Sequence, residues 1–185
     1  AALISRASAQ TSGGKASLPP VERWEPPFCG DLDMEIRADG TWFYMGTPIG
    51  REPLVRLFST VLRKDEDGKT YLVTPVEKVG IHVQDAHFVA VEMSVTEEAG
   101  ESVLTFRTNV GDVVEAGPEH PIVVEIDPET GEPAPRVHVR ADLWARIARP
   151  VFYELVEMAR VEDGRLAVRS NGVAFALGPV GAGVE

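Results

Sequence analysis

Three carboxylates near the start of the chain have the type and spacing that acid–base chemistry would need. Asp31, Asp33 and Glu35 alternate along one run, so a strand would place all three on the same face. Paired carboxylates on one face can act as general acid and general base. A solvated strand edge explains the same pattern, and we favour that interpretation.

A second group has the residue types of a metal site. His82, Asp85 and His87 fall within six residues of one another, and imidazole and carboxylate groups are common zinc ligands. Strand alternation sends the two histidines to opposite faces unless a bulge intervenes. We therefore expect no metal site here.

The familiar catalytic motifs are missing from the sequence. There is no Gly-x-Ser-x-Gly elbow and no Gly-x-x-x-x-Gly-Lys phosphate loop, so neither a serine hydrolase nor a P-loop NTPase is expected. A sensor cysteine needs partial exposure and nearby cations, whereas the single cysteine, Cys29, is followed closely by Asp31. We expect Cys29 to be a buried structural thiol. Whether the protein is an enzyme stays open at this point, and a non-enzymatic role is favoured.

A hairpin must position the residues that follow the carboxylates. The Asp-Gly pair at 39–40 predicts a two-residue type I′ turn, which sets Arg37 opposite Trp42 and Glu35 opposite Tyr44. The core face of this hairpin would then carry Met34, Ile36, Phe43 and Met45. The other face is either half-solvated, with Arg37 over the ring of Trp42, or the floor of a binding cleft.

The next elements are a helix and a series of strands. An apolar stripe predicts an amphipathic helix over residues 53–64, formed by Leu54, Leu57, Phe58, Val61 and Leu62. Residues 69–75 predict a strand of the same sheet, and short alternating runs continue to residue 126. One run places Val89, Val91, Met93 and Val95 on one side. This pattern predicts an antiparallel bent sheet or a small barrel with one buried face.

The order of elements then repeats from about Pro121. A strand pair, an arginine, a helix over residues 141 to about 159, an Asp-Gly turn at 163–164 and a strand follow one another. Pro150 should kink this helix. Arg51 and Arg140 occupy comparable positions just before the two predicted helices. The predicted fold is α+β, with duplicated hairpin-helix-strand units and antiparallel bent sheets.

These elements suggest four segments. We expect an N-terminal tail or short helix over residues 1–19, an N-terminal α+β unit over residues 20–78, a C-terminal sheet-plus-helix domain over residues 79–177 and a Gly-rich tail over residues 178–185. With 185 residues and 44% hydrophobic residues, the chain is long enough to bury a core.

The charge distribution limits the partners. The formal net charge of -11 argues against nucleic acid, because affinity for nucleic acid comes largely from Lys and Arg. Residues 92–132 are strongly acidic and contain no basic residue except Arg107. No apolar stretch is long enough to span a bilayer, and the N-terminus lacks the apolar core of a secretory signal. We expect a soluble, cytoplasmic protein.

Three segments are distinctive: DGTWFYMGTPI, LVRLF and YLVTPVEK. With them the chain resembles, from about Pro20 through the second helix, the uncharacterised bacterial family called domain of unknown function 1285. The resemblance implies a duplicated α+β core whose second half is loosely similar to the pleckstrin-homology arrangement of bent sheet and helix. It also implies a nucleotide-like ligand at the junction of the halves and a role in signalling.

The resemblance further implies a set of ligand-binding residues. It assigns Trp42 or Tyr44 as an aromatic platform, Arg51 and Lys78 as cations for phosphate, and Glu77 or Asp85 as acceptors for base or ribose, together with Thr47 and Thr74. The alternative is that Arg51 and Glu77 form an ion pair that only fixes the halves.

Three functional hypotheses follow. The first is a non-enzymatic module in signal transduction that binds a small anionic or nucleotide-like molecule, which is the one cofactor we expect. The second is a protein-interaction adaptor that uses its acidic sheet surface or its strand edges. The third is an enzyme with an unrecognised site.

Overall fold

The computed structural model describes residues 17–179, which form two compact units that divide after Asp85. The expected N-terminal tail or helix falls mostly on residues 1–16 and the Gly-rich tail mostly on residues 180–185, outside the described residues. Each unit is described by itself. The fold is α+β in the broad sense, since the described residues are mostly β, with two α-helices and two six-stranded sheets in duplicated halves.

The N-terminal unit is built on one mixed sheet. After a short 3-10 helix (Val21–Arg23), its elements are β1 (Phe28–Ile36), β2 (Trp42–Tyr44), β3 (Thr47–Pro48), α1 (Glu52–Ser59), β4 (Leu62–Lys64), β5 (Thr70–Val73) and β6 (Lys78–Val83). The strand order is β3-β2-β1-β6-β5-β4. β1 and β6 are parallel, so the expectation of a purely antiparallel sheet was wrong. A parallel pair needs a long crossover, which α1, β4 and β5 supply.

The first hairpin does not have the predicted register. Ile36, rather than Arg37, lies opposite Trp42. The loop has three residues: the Gly40 amide donates to the Arg37 carbonyl oxygen at 2.9 Å, the Arg37 amide donates to the Thr41 carbonyl oxygen at 3.0 Å, and Gly40 has φ 87°. This is a type I turn followed by a left-handed residue, the usual three-residue hairpin loop.

One extra loop residue moves every side chain of β2 to the other face. Trp42 is therefore only 1% exposed and stacks on Phe58 of α1, with ring centroids 6.3 Å apart. Phe43 instead lies outside, opposite Glu35, and the Arg37 guanidinium sits 3.5 Å from its ring centroid. The cation–π contact exists, but its aromatic partner is Phe43.

The two-residue turn that was predicted at 39–40 occurs instead at another Asp-Gly pair and at an Asn-Gly pair. Asp163 and Gly164 have φ 49° and 75°, and Asn171 and Gly172 have φ 49° and 77°. Both pairs close two-residue hairpins, because the flanking residues pair directly. Two positive φ angles are the signature of a type I′ turn. The dipeptide alone therefore does not decide the loop length.

Helix α1 is shorter than the periodicity suggests. It begins with Pro53 in its first turn and ends at Ser59, whereas residues 53–64 were predicted. Leu62 is 1% exposed but belongs to β4, which pairs with β5. The apolar residues near the helix end fit a buried strand equally well, which is why periodicity could not separate the two.

The C-terminal unit contains a second mixed sheet, one helix and a third sheet. Its strands are β7 (Phe88–Glu98), β8 (Glu101–Thr108), β9 (Val113–Glu115), β10 (Ile122–Ile126), β11 (Pro133–Arg140), β12 (Leu143–Ile147), β13 (Arg160–Glu162), β14 (Arg165–Ser170) and β15 (Val173–Pro179), with α2 (Arg149–Met158) after β12. The six-stranded order is β10-β11-β12-β7-β8-β9, and the three-stranded order is β13-β14-β15. β7 and β12 are parallel.

The second helix starts eight residues later than expected. Residues 143–147 form β12, and Pro150 lies in the first turn of α2, where it causes no kink because the missing amide would be unbonded there anyway. Arg140 consequently does not precede a helix. It ends β11 and forms an ion pair with Asp112 at 2.9 Å.

The β14–β15 turn connects the third sheet to β8. The Ser170 hydroxyl accepts from the Leu104 amide at 2.8 Å and donates to the Ala116 carbonyl oxygen at 2.7 Å. Asn171 Nδ2 also donates to the Ala116 carbonyl oxygen, at 2.8 Å. Ser170 is fully buried. A single hydroxyl therefore bridges two backbone groups of the larger sheet.

The side of β7 that carries four apolar residues is not uniformly buried. Val89 is 4% exposed, whereas Val91 is 42% and Val95 is 47% exposed. The pairing register with β8 shifts between Ala90 and Glu92, which marks a bulge at Val91. The expected continuous buried side was wrong, because β7 extends beyond the strands that cover it.

Candidate functional site

The predicted aromatic platform is divided between the core and the surface. Trp42 lies in the core, and its ring does not face solvent because it is only 1% exposed. Among residues 17–179, no group hydrogen-bonds its Nε1. Tyr44 is 44% exposed and lies opposite Thr47 across the β2–β3 pair. Arg51 is exposed at the N-terminus of α1. Tyr44 and Thr47 are therefore neighbours at one edge of the sheet.

Thr74, Glu77 and Lys78 lie around the turn between β5 and β6. The Thr74 amide donates to the Glu77 carbonyl oxygen at 2.9 Å, and the Glu77 amide donates to Thr74 Oγ1 at 3.2 Å. Lys78 Nζ lies 3.0 Å from Asp65 Oδ2 and 4.4 Å from the ring centroid of Tyr71. The Thr74–Glu77 hydrogen bonds stabilise the turn, and Lys78 contacts two residues of its own sheet region, Asp65 and Tyr71.

Asp65 is the centre of this small ionic network. Partial burial works to raise the pKa of Asp65, but hydrogen bonds from Arg63 and Lys78 outweigh it and lower the pKa below 3.8. Arg63 also donates to the carbonyl oxygens of Val21 and Trp24, at 2.8 and 2.6 Å. The network therefore attaches the Pro-rich segment before β1, residues 20–27, to β4.

The hydroxyl of Tyr71 lies beside this ionic network. It donates to Asp67 Oδ2 at 2.5 Å. This hydrogen bond, with a smaller contribution from burial, raises the pKa of Tyr71 to about 12, and the same bond lowers the pKa of Asp67. The hydroxyl therefore stays protonated at neutral pH and acts as a hydrogen-bond donor.

The eight predicted residues do not meet at one point within the N-terminal unit. Lys78 pairs with Phe28 at one end of β1, whereas Trp42 pairs with Ile36 at the other end, next to Val83. Lys78 and Val83 are five residue steps apart along β6, which is about 16 Å at the rise of a strand. Asp85 follows β6, beside the hairpin loop rather than the lysine.

Cys29 does not have the environment that was predicted. It is exposed, and its thiol donates to the carbonyl oxygen of Pro27 at 3.4 Å. The expected burial was wrong because Cys29 lies in the first, exposed residues of β1, and Phe28 beside it is itself 55% exposed. Hydrophobic neighbours in sequence did not indicate a core position.

A cavity of about 450 Å³ lies in the C-terminal unit. It is formed by the β10–β11 loop, the start of β11, the end of β12 and the first turns of α2. Its lining consists of Asp127, Thr130, Glu132, Pro133, Ala134, Pro135, Arg146, Ile147, Arg149, Phe152 and Tyr153. The volume falls in the range of small-molecule sites, about 300–1,000 Å³.

The cationic side of this cavity is built by the start of α2. Ala148 is the N-cap residue and provides no side-chain hydrogen bond, and the first turn contains no acidic residue. The first amides of a helix lack intrahelical partners and attract negative charge. Arg146 and Arg149 line the cavity at the same place. Guanidinium groups bind carboxylate and phosphate through paired hydrogen bonds.

The remaining lining supplies aromatic rings and carboxylates. Phe152 is 9% exposed and Tyr153 is 58% exposed, so one ring belongs to the core and the other is accessible. Asp127 and Glu132 lie on the β10–β11 loop. Asp127 Oδ1 accepts from the amides of Glu129 and Thr130, at 2.8 and 3.2 Å, and so stabilises the loop. The cavity thus has a basic side and an acidic rim.

Sequence reasoning did not find this cavity because the lining residues 146–153 were assigned to the middle of one long helix. Arg146 and Arg149 are three residues apart, and a helix would place them together on a solvated surface. The signal that could have found them is Pro150, since proline favours the first turn of a helix and so predicts a helix N-terminus at Arg149. The loop side of the cavity has no comparable signal.

A second cavity in the same unit has the opposite character. It has a volume of about 570 Å³, and its lining consists of Val113, Val114, Glu115, Gly117, Pro118, Glu119, His120 and Asn171. Its ionisable groups are two glutamates and one histidine. The ring of His120 stacks on His138 at 5.4 Å, and its Nδ1 lies 3.1 Å from the carbonyl oxygen of His138. No arginine or lysine is available here for an anion.

Residues 17–179 contain neither a cluster of metal ligands nor a membrane-spanning helix. Within them, no three His, Cys, Asp or Glu side chains lie close enough to hold a metal ion. No helix among them is long and apolar enough to cross a membrane.

Two family models match the chain, one over each of its two units. The family model described as "Domain of unknown function (DUF1285), N-terminal domain" matches residues 19–86, and "Protein of unknown function (DUF1285), C-terminal domain" matches residues 87–177. A DUF1285 family protein from Silicibacter pomeroyi DSS-3 is 52% identical, with a TM-score of 0.86 over 96% of this chain and 95% of that chain.

A DUF1285 family protein from Shewanella baltica OS155 shares the fold at 24% identity. The TM-score is 0.53, over 68% of this chain and 91% of that chain. Among curated proteins, none matches the chain.

Proposed function

Because the chain belongs to the DUF1285 family, which names no activity, we propose a function from the geometry of its own cavities. The protein is a non-enzymatic binding module for a small anionic, nucleotide-like ligand. The observation that carries this proposal is the cavity at the start of α2, where Arg146, Arg149 and a helix N-terminus meet beside two aromatic rings.

The cavity offers a separate environment for each part of such a ligand. A phosphate or carboxylate would be bound by Arg146 and Arg149, with the positive end of the α2 helix dipole beside them. A flat ring would stack on the exposed face of Tyr153, since stacking on an aromatic side chain tolerates any base. Asp127 and Glu132 on the opposite loop would accept hydrogen bonds from hydroxyl or amino groups. The acidic rim disfavours a second anionic group at that end.

The lining favours binding over catalysis. Of the eleven residues that line the cavity, none is Ser, Cys or His. Serine, cysteine and histidine supply many nucleophiles and bases of covalent catalysis, and their absence from this lining is what favours a role in holding a ligand.

We place this module in cytoplasmic signal transduction. Cys29 is the single cysteine and is exposed as a free thiol, which suits a reducing compartment. The C-terminal unit, with its six-stranded sheet and a helix that packs on β7, is in our proposal a distant variant of the pleckstrin-homology arrangement.

The proposal is tested by thermal shift against a panel of mononucleotides, cyclic nucleotides and dinucleotides. A ligand at 100 times its dissociation constant stabilises the native state by about 2.7 kcal/mol. Arg149→Ala should abolish the shift. Arg165→Ala is the matched control, because it removes the same charge from an exposed residue beyond the other end of α2, which is about 15 Å long. No shift with any nucleotide, or a shift that survives Arg149→Ala, would sink the proposal.

A further inference from the structure

Strand β7 is longer than the sheet that surrounds it. It has eleven residues, and β8 pairs with it along nearly its whole length, as far as the Glu98–Glu101 pair. On its other side β12 pairs with Phe88, Val89 and Ala90, and the last bond joins the Ala148 amide to the Ala90 carbonyl oxygen. Within residues 17–179, no strand pairs with that side of residues 92–98.

This open edge is long enough to accept another strand. Seven residues at about 3.4 Å each give an edge of roughly 24 Å, the length of a typical strand. On such an edge every second residue points its amide and carbonyl away from the sheet. Natural edges are protected by charged side chains, proline or a bulge. Residues 92–98 contain no lysine or proline, but they carry three glutamates and follow the bulge at Val91, which disfavour pairing with a second acidic edge.

An apolar layer reaches the same edge and stops there. Leu104 and Phe106 of β8 are fully buried, and they lie opposite Val95 and Met93 of β7. Val95 is 47% exposed on that side. One more strand would extend the layer and cover these side chains. An open edge next to alternating apolar side chains is the arrangement that strand addition uses.

Charge distinguishes between the occupants of this edge. The β7–β8 hairpin carries Glu92, Glu97, Glu98 and Glu101, and its one basic residue is Arg107, which pairs with Glu92 at 2.6 Å. Two copies of β7 paired edge to edge would bring glutamates together, and like charges opposite one another destabilise a sheet. A strand with lysine or arginine would instead meet opposite charge.

We propose that the open edge of β7, residues 92–98, binds an extended basic segment of another protein by strand addition. Alternate apolar side chains of the segment cover Met93 and Val95, and its Lys or Arg side chains lie near the glutamates of the hairpin. Residues 92–98 are not among the residues that line the cavity at α2.

The probe is a fluorescent eight-residue peptide of alternating valine and lysine, measured by anisotropy at physiological salt. A second peptide has the same sequence with alternate backbone amides N-methylated, which keeps charge and apolar surface but removes the donors for the edge. Strand addition predicts that N-methylation weakens binding by at least about tenfold. Equal binding of the two peptides would overturn the proposal, since charge alone would then explain it, as would no binding of either.

Two variants of β7 locate the surface. Val95→Lys adds a charge to the apolar side of the edge, whereas Ser94→Lys adds the same charge one residue away, on the opposite face. Both residues are exposed, so both variants should fold. We expect Val95→Lys to weaken peptide binding about tenfold or more, and Ser94→Lys to change it by less than about threefold. Equal weakening would refute the assigned face.

Hydrogen exchange and sedimentation complete the test. Bound peptide should slow exchange of those amides of residues 92–98 that point outward by about tenfold or more. A wild-type dimer that Val95→Lys dissociates would identify the occupant as a second copy of this chain and overturn the assignment of a basic partner.

Discussion

Ser170→Ala tests how the third sheet is attached to the larger sheet of the C-terminal unit. The hydroxyl bonds the Leu104 amide and the Ala116 carbonyl oxygen in a fully buried position. After the substitution, the Leu104 amide has lost its acceptor. The Ala116 carbonyl oxygen keeps one donor, Asn171 Nδ2. The two losses are therefore unequal.

The magnitude follows from this difference. An orphaned buried amide costs about 2 kcal/mol, and one lost bond whose acceptor keeps another donor costs about 1 kcal/mol. We expect Ser170→Ala to lower the free energy of unfolding by about 3 kcal/mol. Ser94→Ala, on the exposed side of β7, should change it by less than about 0.5 kcal/mol.

The second half of the test is a double-mutant cycle. Asn171→Gly removes the other donor to Ala116 while keeping a residue that tolerates the positive φ of 49°. In the double variant the Ala116 carbonyl oxygen has neither side-chain donor, so the combined loss should exceed the sum of the single losses by about 1 kcal/mol.

Urea unfolding gives the free energies, and hydrogen exchange at the Leu104 amide gives the local readout. Exchange at Leu104 should accelerate in Ser170→Ala and remain slow in Asn171→Gly. Free energies that add without coupling, or an unchanged Leu104 amide in Ser170→Ala, would refute the reasoning.

Three further predictions concern ionisation and turn strain. Because the pKa of Asp65 is lowered, its ion pairs stabilise the fold fully above pH 3.8, the ordinary value, and this stability is lost as pH falls through the lowered pKa. Asp65→Asn should therefore lower the free energy of unfolding by about 2 kcal/mol at pH 7, measured by urea unfolding, and by progressively less below pH 4. The pKa of Tyr71 is raised to about 12, so its hydrogen bond to Asp67 stabilises the fold fully below pH 10 and this stability is lost towards pH 12. Ultraviolet titration should show one tyrosine that ionises at higher pH than the others, and Asp67→Asn should lower the pH at which it ionises. Ala99 has φ 51° in an exposed turn, so Ala99→Gly should raise the free energy of unfolding by about 0.5–1 kcal/mol, and no gain in a thermal melt would contradict the strain.

The strands of this protein could be predicted from alternation, and their register could not. The strand predicted at residues 69–75 forms at Thr70–Val73, the apolar runs up to residue 126 did form strands, and the predicted turn at 163–164 is present. The pair at 39–40 has the same sequence but lies in a three-residue loop. Loop length depends on which strand partners form the better core, and Trp42 is buried only in the longer loop. That preference depends on tertiary packing, which the Asp-Gly dipeptide alone does not reveal.

Non-local pairing and the candidate site were the parts that sequence reasoning missed. The parallel pairs β1–β6 and β7–β12 join segments far apart in the chain, so no local signal marks them. Residues 143–147 were assigned to a helix because a short apolar run has no decisive period. The cavity at α2 combines a loop, two strands and a helix end, which no local sequence pattern brings together. The nucleotide-like ligand and its site remain predictions.

The parallel pairing of β7 with β12 has a consequence for the order in which the C-terminal unit folds. Ala90 pairs with Ile147, more than fifty residues later, and the hairpins β7–β8, β10–β11 and β11–β12 lie between or beside them. Hairpins close short loops within microseconds, whereas a long loop costs more entropy and closes later. A nascent chain that ends before β12 would therefore expose all of one side of β7, and pairing with β12 later removes the part of that exposure at residues 88–90.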